Sequence, residues 1–224
     1  MEGIIVKHYI SFSIAGSLMT MIFLGMVNYI TSPQTIWFIY PCLLLLLWPI
    51  TIYFMSKRLY KQYSVVCSFM VIAFLTLENY LYSPHHLWIM YAFYPILWWP
   101  ILMFLGERAK SLNIALIGCA STIIYYSLLN LVMSPQYPWA IFPSFLVIWW
   151  PLALYHAQKK TFVAFSIYAS LLISIFFITV NAVSSPGTIW AIYPIFLVMW
   201  WPLSMYFYVY KRKMYKAATL LKRI

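Results

Sequence analysis

Four asparagines, Asn28, Asn79, Asn130 and Asn181, stand 51 residues apart, each inside an apolar run. A carboxamide carries two N–H donors and an acceptor oxygen, and leaving it unbonded in apolar surroundings is costly. Two dispositions are open. Each amide bonds the start of the following helix or the adjacent turn, or the four form a polar ring near the mouth of a central cavity, binding a headgroup or hydrated ion. Glu78, beside Asn79, is the one carboxylate within an apolar stretch and occurs in one copy alone. With His85 and His86 just beyond it, Glu78 makes an asymmetric titratable patch able to take up a proton, hold a cation, contact a basic ligand or reach lipid headgroups. His8 and His156 fall at the opposite ends of their segments, too far away to share a metal with that pair. The chain contains no Asp, which excludes a Ser-His-Asp set, and it has no glycine-rich phosphate loop, Cys-x-x-Cys or His-Glu-x-x-His. Cys42, Cys67 and Cys119 lie in apolar segments without ligand spacing and read as small buried side chains. No metal, no cofactor and no catalytic residues are expected.

The elements that must position these residues belong to a membrane. Of 224 residues, 65% are hydrophobic and 8% charged, with 14 Lys or Arg against three acids. So few charges cannot coat a globule of this length, which excludes a soluble enzyme or a nucleic-acid-binding domain. At roughly 20 residues per crossing, the length accommodates about eight membrane helices with short connections. Lys7 and His8 precede an apolar stretch of full spanning length with no small-x-small cleavage site after it. A retained first helix is therefore expected rather than a cleaved signal.

The whole chain is an internal repeat. Ser-Pro recurs at Ser32-Pro33, Ser83-Pro84, Ser134-Pro135 and Ser185-Pro186, again at a spacing of 51. Each proline follows its Asn by five residues and precedes a Trp by four: Trp37, Trp88, Trp139 and Trp190. A Trp-Pro pair closes each copy at Trp48-Pro49, Trp99-Pro100, Trp150-Pro151 and Trp201-Pro202. A middle proline appears as Pro41, Pro143 and Pro194, whereas the second copy has Ala92 there and Pro95 beyond it. The units run 7–57, 58–108, 109–159 and 160–210 within a single membrane domain, 1–224, and 211–224 form a basic tail.

Each unit reads as a helical hairpin. First helices are expected over 9–31, 61–82, 112–133 and 162–184, and second helices over 34–56, 86–106, 137–157 and 188–210. Ser-Pro reads as a tight turn that starts the second helix, with Ser as N-cap and Pro at the first helical position. The prolines farther along should remove hydrogen bonds and kink that helix, with the freed carbonyls satisfied by neighbours or water. Small residues four apart recur on the first helix as Ser13 and Ser17, Ser64 and Ser68, Ala115 and Cys119, Ser166 and Ser170, a pattern that lets membrane helices approach closely. Phe23, Phe74, Tyr125 and Phe176 should fill the same seam farther out. On the second helix the recurring Trp, aromatic and Pro positions fall in a stripe of roughly 100°. The eight tryptophans of that stripe are interfacial and packing residues or an aromatic wall for a ligand.

Every Lys and Arg lies at the hairpin ends away from Ser-Pro. The positive-inside rule then places both termini and the inter-repeat loops in the cytoplasm and the Ser-Pro turns outside. The tail, with Lys211, Arg212, Lys213, Lys216, Lys222 and Arg223, fixes topology or binds anionic lipid. All four hairpins share one orientation, which suggests a pseudo-fourfold or pseudo-twofold axis along the membrane normal.

The unit Asn-x4-Pro-x3-Trp, followed by Trp-Pro about a dozen residues later, resembles the two-helix hairpins of bacterial two-transmembrane-domain proteins, which often accompany regulatory or envelope-stress modules. The chain departs from them in its four fused copies, its Trp-Pro and the absence of a signalling domain. The resemblance implies a bacterial inner-membrane setting. The reading that follows is an all-α, eight-helix, non-catalytic plasma-membrane protein that binds or senses a lipid-like or amphipathic ligand, or a membrane protein partner. The rival is a transporter or channel through the bundle, and an intramembrane enzyme ranks third.

Overall fold

The computed structural model describes residues 2–221, and side chains from 5 to 214. Among the described residues it is entirely helical: α1 (Glu2–Thr31), α2 (Ile39–Ser56), α3 (Tyr60–Tyr82), α4 (Ile89–Leu105), a short 3-10 turn (Gly106–Lys110), α5 (Leu112–Met133), α6 (Ile141–Lys159), α7 (Phe162–Ser184) and α8 (Ile192–Leu221). Seven of the eight α-helices are long and apolar enough to cross a membrane. The exception is α6, whose end carries His156, Gln158 and Lys159. The chain divides into two compact units, one through Gly106 and one from Glu107 onward. Within the first, α1 packs on α2, α2 on α3 and α3 on α4; within the second, α5 packs on α6, α6 on α7 and α7 on α8.

The segregation of residues is the reverse of a soluble protein. The fully buried side chains are small, Ser13, Ser17, Ser64, Ser166, Ala115 and Ala169, while Val132 and Ile189 are 81% and 82% exposed. Serines inside and branched aliphatics outside suit a hydrocarbon solvent, where close backbone approach and internal hydrogen bonds drive helix association.

The first helices follow the sequence reading closely, except that α1 begins at Glu2. The second helices start later than expected, and Ser-Pro is the reason. Ser83, Ser134 and Ser185 are the C-caps of α3, α5 and α7, with extended φ near −150°. Proline disfavours the helical conformation in the residue before it, so Ser-Pro stops the first helix rather than starting the second. The proline then occupies the second position of a turn closed by Thr35 N–H to Ser32 O (3.1 Å), His86 N–H to Ser83 O (3.1 Å) and Thr188 N–H to Ser185 O (3.2 Å). The N-cap positions of α2, α4 and α6 are instead Phe38, Trp88 and Ala140, none with its own side-chain cap.

Apart from Pro95 inside α4, the helical prolines divide into two kinds. Pro41, Pro143 and Pro194 sit at the third residue of α2, α6 and α8, where an N–H has no intrahelical partner to lose, so the kink expected there has no cause. Pro49, Pro100 and Pro202 lie inside their helices and free the carbonyl four residues earlier. A serine of the preceding helix takes up each: Ser17 Oγ donates to Leu45 O (2.7 Å), Ser68 Oγ to Ile96 O (3.2 Å) and Ser170 Oγ to Val198 O (3.2 Å). The second member of each small-residue pair is thus a donor as well as a spacer. The first member, Ser13, Ser64 or Ser166, bonds back to its own helix. At the third copy the donor position holds Cys119, buried and only a weak S–H donor.

Between the helix pairs the chain turns through Arg58 and Lys160, both left-handed at φ 55°, with Leu59 N–H to Phe54 O (3.0 Å) and Thr161 N–H to His156 O (3.1 Å) closing the helix ends. Beyond its expected end at 210, α8 continues through Leu221, so Lys211, Arg212 and Lys213 are helical. The side chain of Lys216, and Lys222 and Arg223 altogether, lie outside the described residues.

Removing one proline-directed hydroxyl should leave an unbonded carbonyl. Ser17→Ala and Ser170→Ala are expected to cost about 0.5–2 kcal/mol each, measured by reversible unfolding in mixed micelles. Cys119→Ser should move stability the other way; a loss there would show that Val147 O needs no donor.

Candidate functional site

The four asparagines do the same work at each copy. Asn28 Nδ2 donates to Ser32 O (2.8 Å) and Thr35 O (2.7 Å), and its Oδ1 accepts from Phe38 N–H (3.1 Å). Asn79 bonds Ser83 O, His86 O and Ile89 N–H at 2.8, 2.8 and 2.9 Å. Asn130 bonds Ser134 O, Tyr137 O and Ala140 N–H at 2.6, 2.9 and 2.9 Å. Asn181 bonds Ser185 O, Thr188 O and Ala191 N–H at 2.9, 2.6 and 2.9 Å. Both donors of every amide are used on the turn, and its oxygen supplies an orphan N–H at the start of the next helix with the cap that helix lacks. The amides are committed to their own turns, the first of the two dispositions open from sequence.

Glu78 does not project toward headgroups. It is 8% exposed, turned into the seam between α2 and α3, where its Oε2 accepts from Tyr40 Oη–H (3.1 Å). Its Oε1 is buried without a partner. Tyr40 in turn stands edge-on to Phe74, ring centroids 5.9 Å apart. His85 and His86 are exposed, and the His86 ring rests 5.9 Å from Tyr91. No hydrogen bond or ion pair joins either histidine to Glu78 among the described residues. At the other end of this seam Thr51 Oγ1 meets Tyr63 Oη at 2.9 Å.

The tryptophans pack within the helix pairs. Trp139 stands edge-on to Tyr126 and Trp190 to Phe177, both at 6.0 Å. Trp48 meets Phe12 at 6.2 Å, Trp99 meets Tyr63 at 5.9 Å and Trp201 meets Phe165 at 5.6 Å, all nearly perpendicular. Trp37, Trp88 and Trp150 are half-buried. This is an aromatic lock between first and second helices.

The second unit holds an open groove of about 530 Å³, bounded by α5, α6 and α7 near the Asn130 end. Phe145, Ile148, Leu172 and Phe176 form its apolar floor, with Phe145 and Phe176 stacked at 4.0 Å. Ser127, Asn130, Ser144 and Thr179 supply its polar atoms. Of the residues singled out in sequence as a ligand site, only Asn130 lines it. Ser127 and Ser144 were passed over because they do not recur; the signal lay in departures from the repeat.

His156 was noted only for its position. It is 4% exposed at the end of α6, its Nδ1 is 2.6 Å from Thr161 Oγ1, and its ring packs with Tyr155, Phe165 and Tyr168. It closes the α6–α7 turn. Among the described residues no three His, Cys, Asp or Glu come together as a metal site.

The chain has no significant match to family models, to curated proteins or to solved structures.

Two outcomes follow from the polar contacts. Asn181→Ala should cost about 2–4 kcal/mol, since one N–H and two carbonyls lose their partner. Asn181→Asp should be no better, because a carboxylate keeps the acceptor but faces two carbonyls without a donor; rescue by Asp in unfolding measurements would show that the acceptor alone matters. At Glu78, Tyr40→Phe should lower the melting temperature in wild type and leave it unchanged in a Glu78→Leu background, a non-additivity read from a double-mutant cycle.

Proposed function

We propose that this is a non-catalytic, multi-pass membrane protein that holds a lipid-like amphipathic ligand in the groove between α5, α6 and α7. The groove carries the reading: an apolar floor large enough for part of an acyl chain meets a few convergent polar groups at one end. Around it, we read the chain as four hairpins of one repeated design that all cross the plasma membrane in the same sense. The termini and the basic turns lie in the cytoplasm and the Ser-Pro turns outside, a reading supported by the Lys and Arg distribution. The groove, at the Ser-Pro end, then opens toward the outer leaflet.

Two measurements test this reading. A cysteine placed at the exposed Gly187 should react with a membrane-impermeant maleimide from outside intact cells, and one at Arg108 should not; the opposite pattern inverts the orientation. Native mass spectrometry of protein released from nanodiscs should show one lipid retained per chain after the annular lipids are stripped. Loss of all lipid in a single unresolved step would count against a dedicated site.

A further inference from the structure

The groove has a counterpart two repeats earlier, and its residues differ in a pattern. In the first unit the ring of Phe38 lies 3.8 Å from where a Cβ on Gly25 would stand, so the aromatic ring covers the glycine. The positions 102 residues on hold Ser127 for Gly25 and Ala140 for Phe38, and both line the groove. A methyl group at 140 leaves open the space that a phenyl ring covers at 38. Two further exchanges at the same groove go from apolar or weakly polar to hydroxyl: Cys42 to Ser144 and Leu77 to Thr179.

Those hydroxyls are not all in use. Elsewhere on these helices, serine and threonine bond back to a carbonyl of their own helix, as Ser121 does to Ile117 O, Thr122 to Gly118 O and Ser174 to Ser170 O. Thr179 behaves likewise, donating to Ile175 O at 2.8 Å. Ser127 and Ser144 make no side-chain hydrogen bond among the described residues. Two open donors thus face one apolar groove. Ser127 lies six residues before the end of α5, about 9 Å along the axis. With α5 itself about 33 Å long against roughly 30 Å of hydrocarbon, that depth is about 7 Å inside the boundary. Ser144, three residues past the start of α6 and so about 4.5 Å from it, lies nearer the level of glycerolipid esters. No Lys or Arg stands at this end of the helices, and the Asn130 amide is committed to its turn.

We infer that the groove of the second unit is a site for one acyl chain of an ester-linked glycerolipid, whose ester carbonyl accepts hydrogen bonds from the Ser127 and Ser144 hydroxyls, and that Ala140 opens the site which Phe38 closes in the first unit. The inference rests on the proposed binding function and gives the ligand its chemical class. Selection is by linkage and chain, because nothing charged is placed to read a headgroup.

The test uses the full-length protein in nanodiscs of 1-palmitoyl-2-oleoyl phosphatidylcholine doped with a phosphatidylcholine bearing a diazirine on one acyl chain, with crosslinks mapped by mass spectrometry. Wild type should crosslink within 127–148 and 172–179 above the level on the lipid-facing side of α8. Ester-linked phosphatidylcholine and phosphatidylglycerol should compete equally well, and the ether-linked analogue about five-fold more weakly, the equivalent of roughly 1 kcal/mol of hydrogen bonding. Ser127→Ala with Ser144→Ala should abolish that ester preference at unchanged melting temperature. Ala140→Phe should remove the groove crosslinks, and Phe38→Ala should create new ones within 25–46. Because Ala140→Phe can fail by misfolding, the serine pair and Phe38→Ala carry the decision independently. Groove labelling without ester preference, or labelling that survives Ala140→Phe in folded protein, overturns this inference while leaving a binding function in place. Labelling no greater than that of α8 overturns both.

Discussion

A backbone carbonyl or N–H left unbonded in hydrocarbon costs several kcal/mol, and water is not there to relieve it. The four Ser-Pro turns and three of the four Trp-Pro sites meet that constraint with a side chain. Where a first helix ends, the turn exposes two carbonyls and the next helix begins with an orphan N–H; one asparagine bonds all three. Where Trp-Pro interrupts the second helix, the freed carbonyl is met by a serine hydroxyl from its neighbour. Asparagine is suited to the first task because it alone among short side chains offers two donors and an acceptor in one plane. Serine is suited to the second because it is also small enough to let the two backbones approach.

With the backbone groups of the turns bonded internally, the interior can be lined with serine and the apolar bulk turned outward. The aromatic contacts follow from the same arrangement. Ser13 and Ser17 are fully buried, and next to Ser13 the ring of Phe12 stands perpendicular to that of Trp48, so small and aromatic residues share one stretch of the α1–α2 contact.

Much of this was legible from sequence because it repeats. The helices and the need to satisfy proline-freed carbonyls followed from residues recurring at 51, whereas the asparagines were left with two dispositions until their bonds to the turn decided between them. Ser-Pro misled because two principles compete there. Proline at a first helical position and a residue before proline leaving the helix describe the same dipeptide, and the extended serine shows that the second prevailed. The Ser17 to Leu45 bond was half visible: the freed carbonyl could be named, but not its donor, since packing of two helices sets that register. For Glu78 the sequence left open a proton, a cation, a basic ligand or the headgroups. The Tyr40 hydroxyl, one helix away, gives it an inward partner, and Val180 and Phe142 at the corresponding places of the second unit show that the pair is peculiar to the first.

That contrast separates what the repeat maintains from what it leaves free. The asparagine, the Ser-Pro and the Trp-Pro answer a requirement common to every copy, so a change there would expose backbone to lipid whatever the protein does. The seams between successive helix pairs carry no such requirement. In the first unit that seam is polar, with Tyr40 on Glu78 and Thr51 on Tyr63. In the second it is aromatic, with Phe145 stacked on Phe176 and His156 among Tyr155, Phe165 and Tyr168. Beside the groove Asn130 has closed the turn, leaving the side chains at 127, 140 and 144 free to differ from their counterparts. The asymmetry between units therefore lies outside the contacts that every copy repeats, where each unit can be stabilised in its own way.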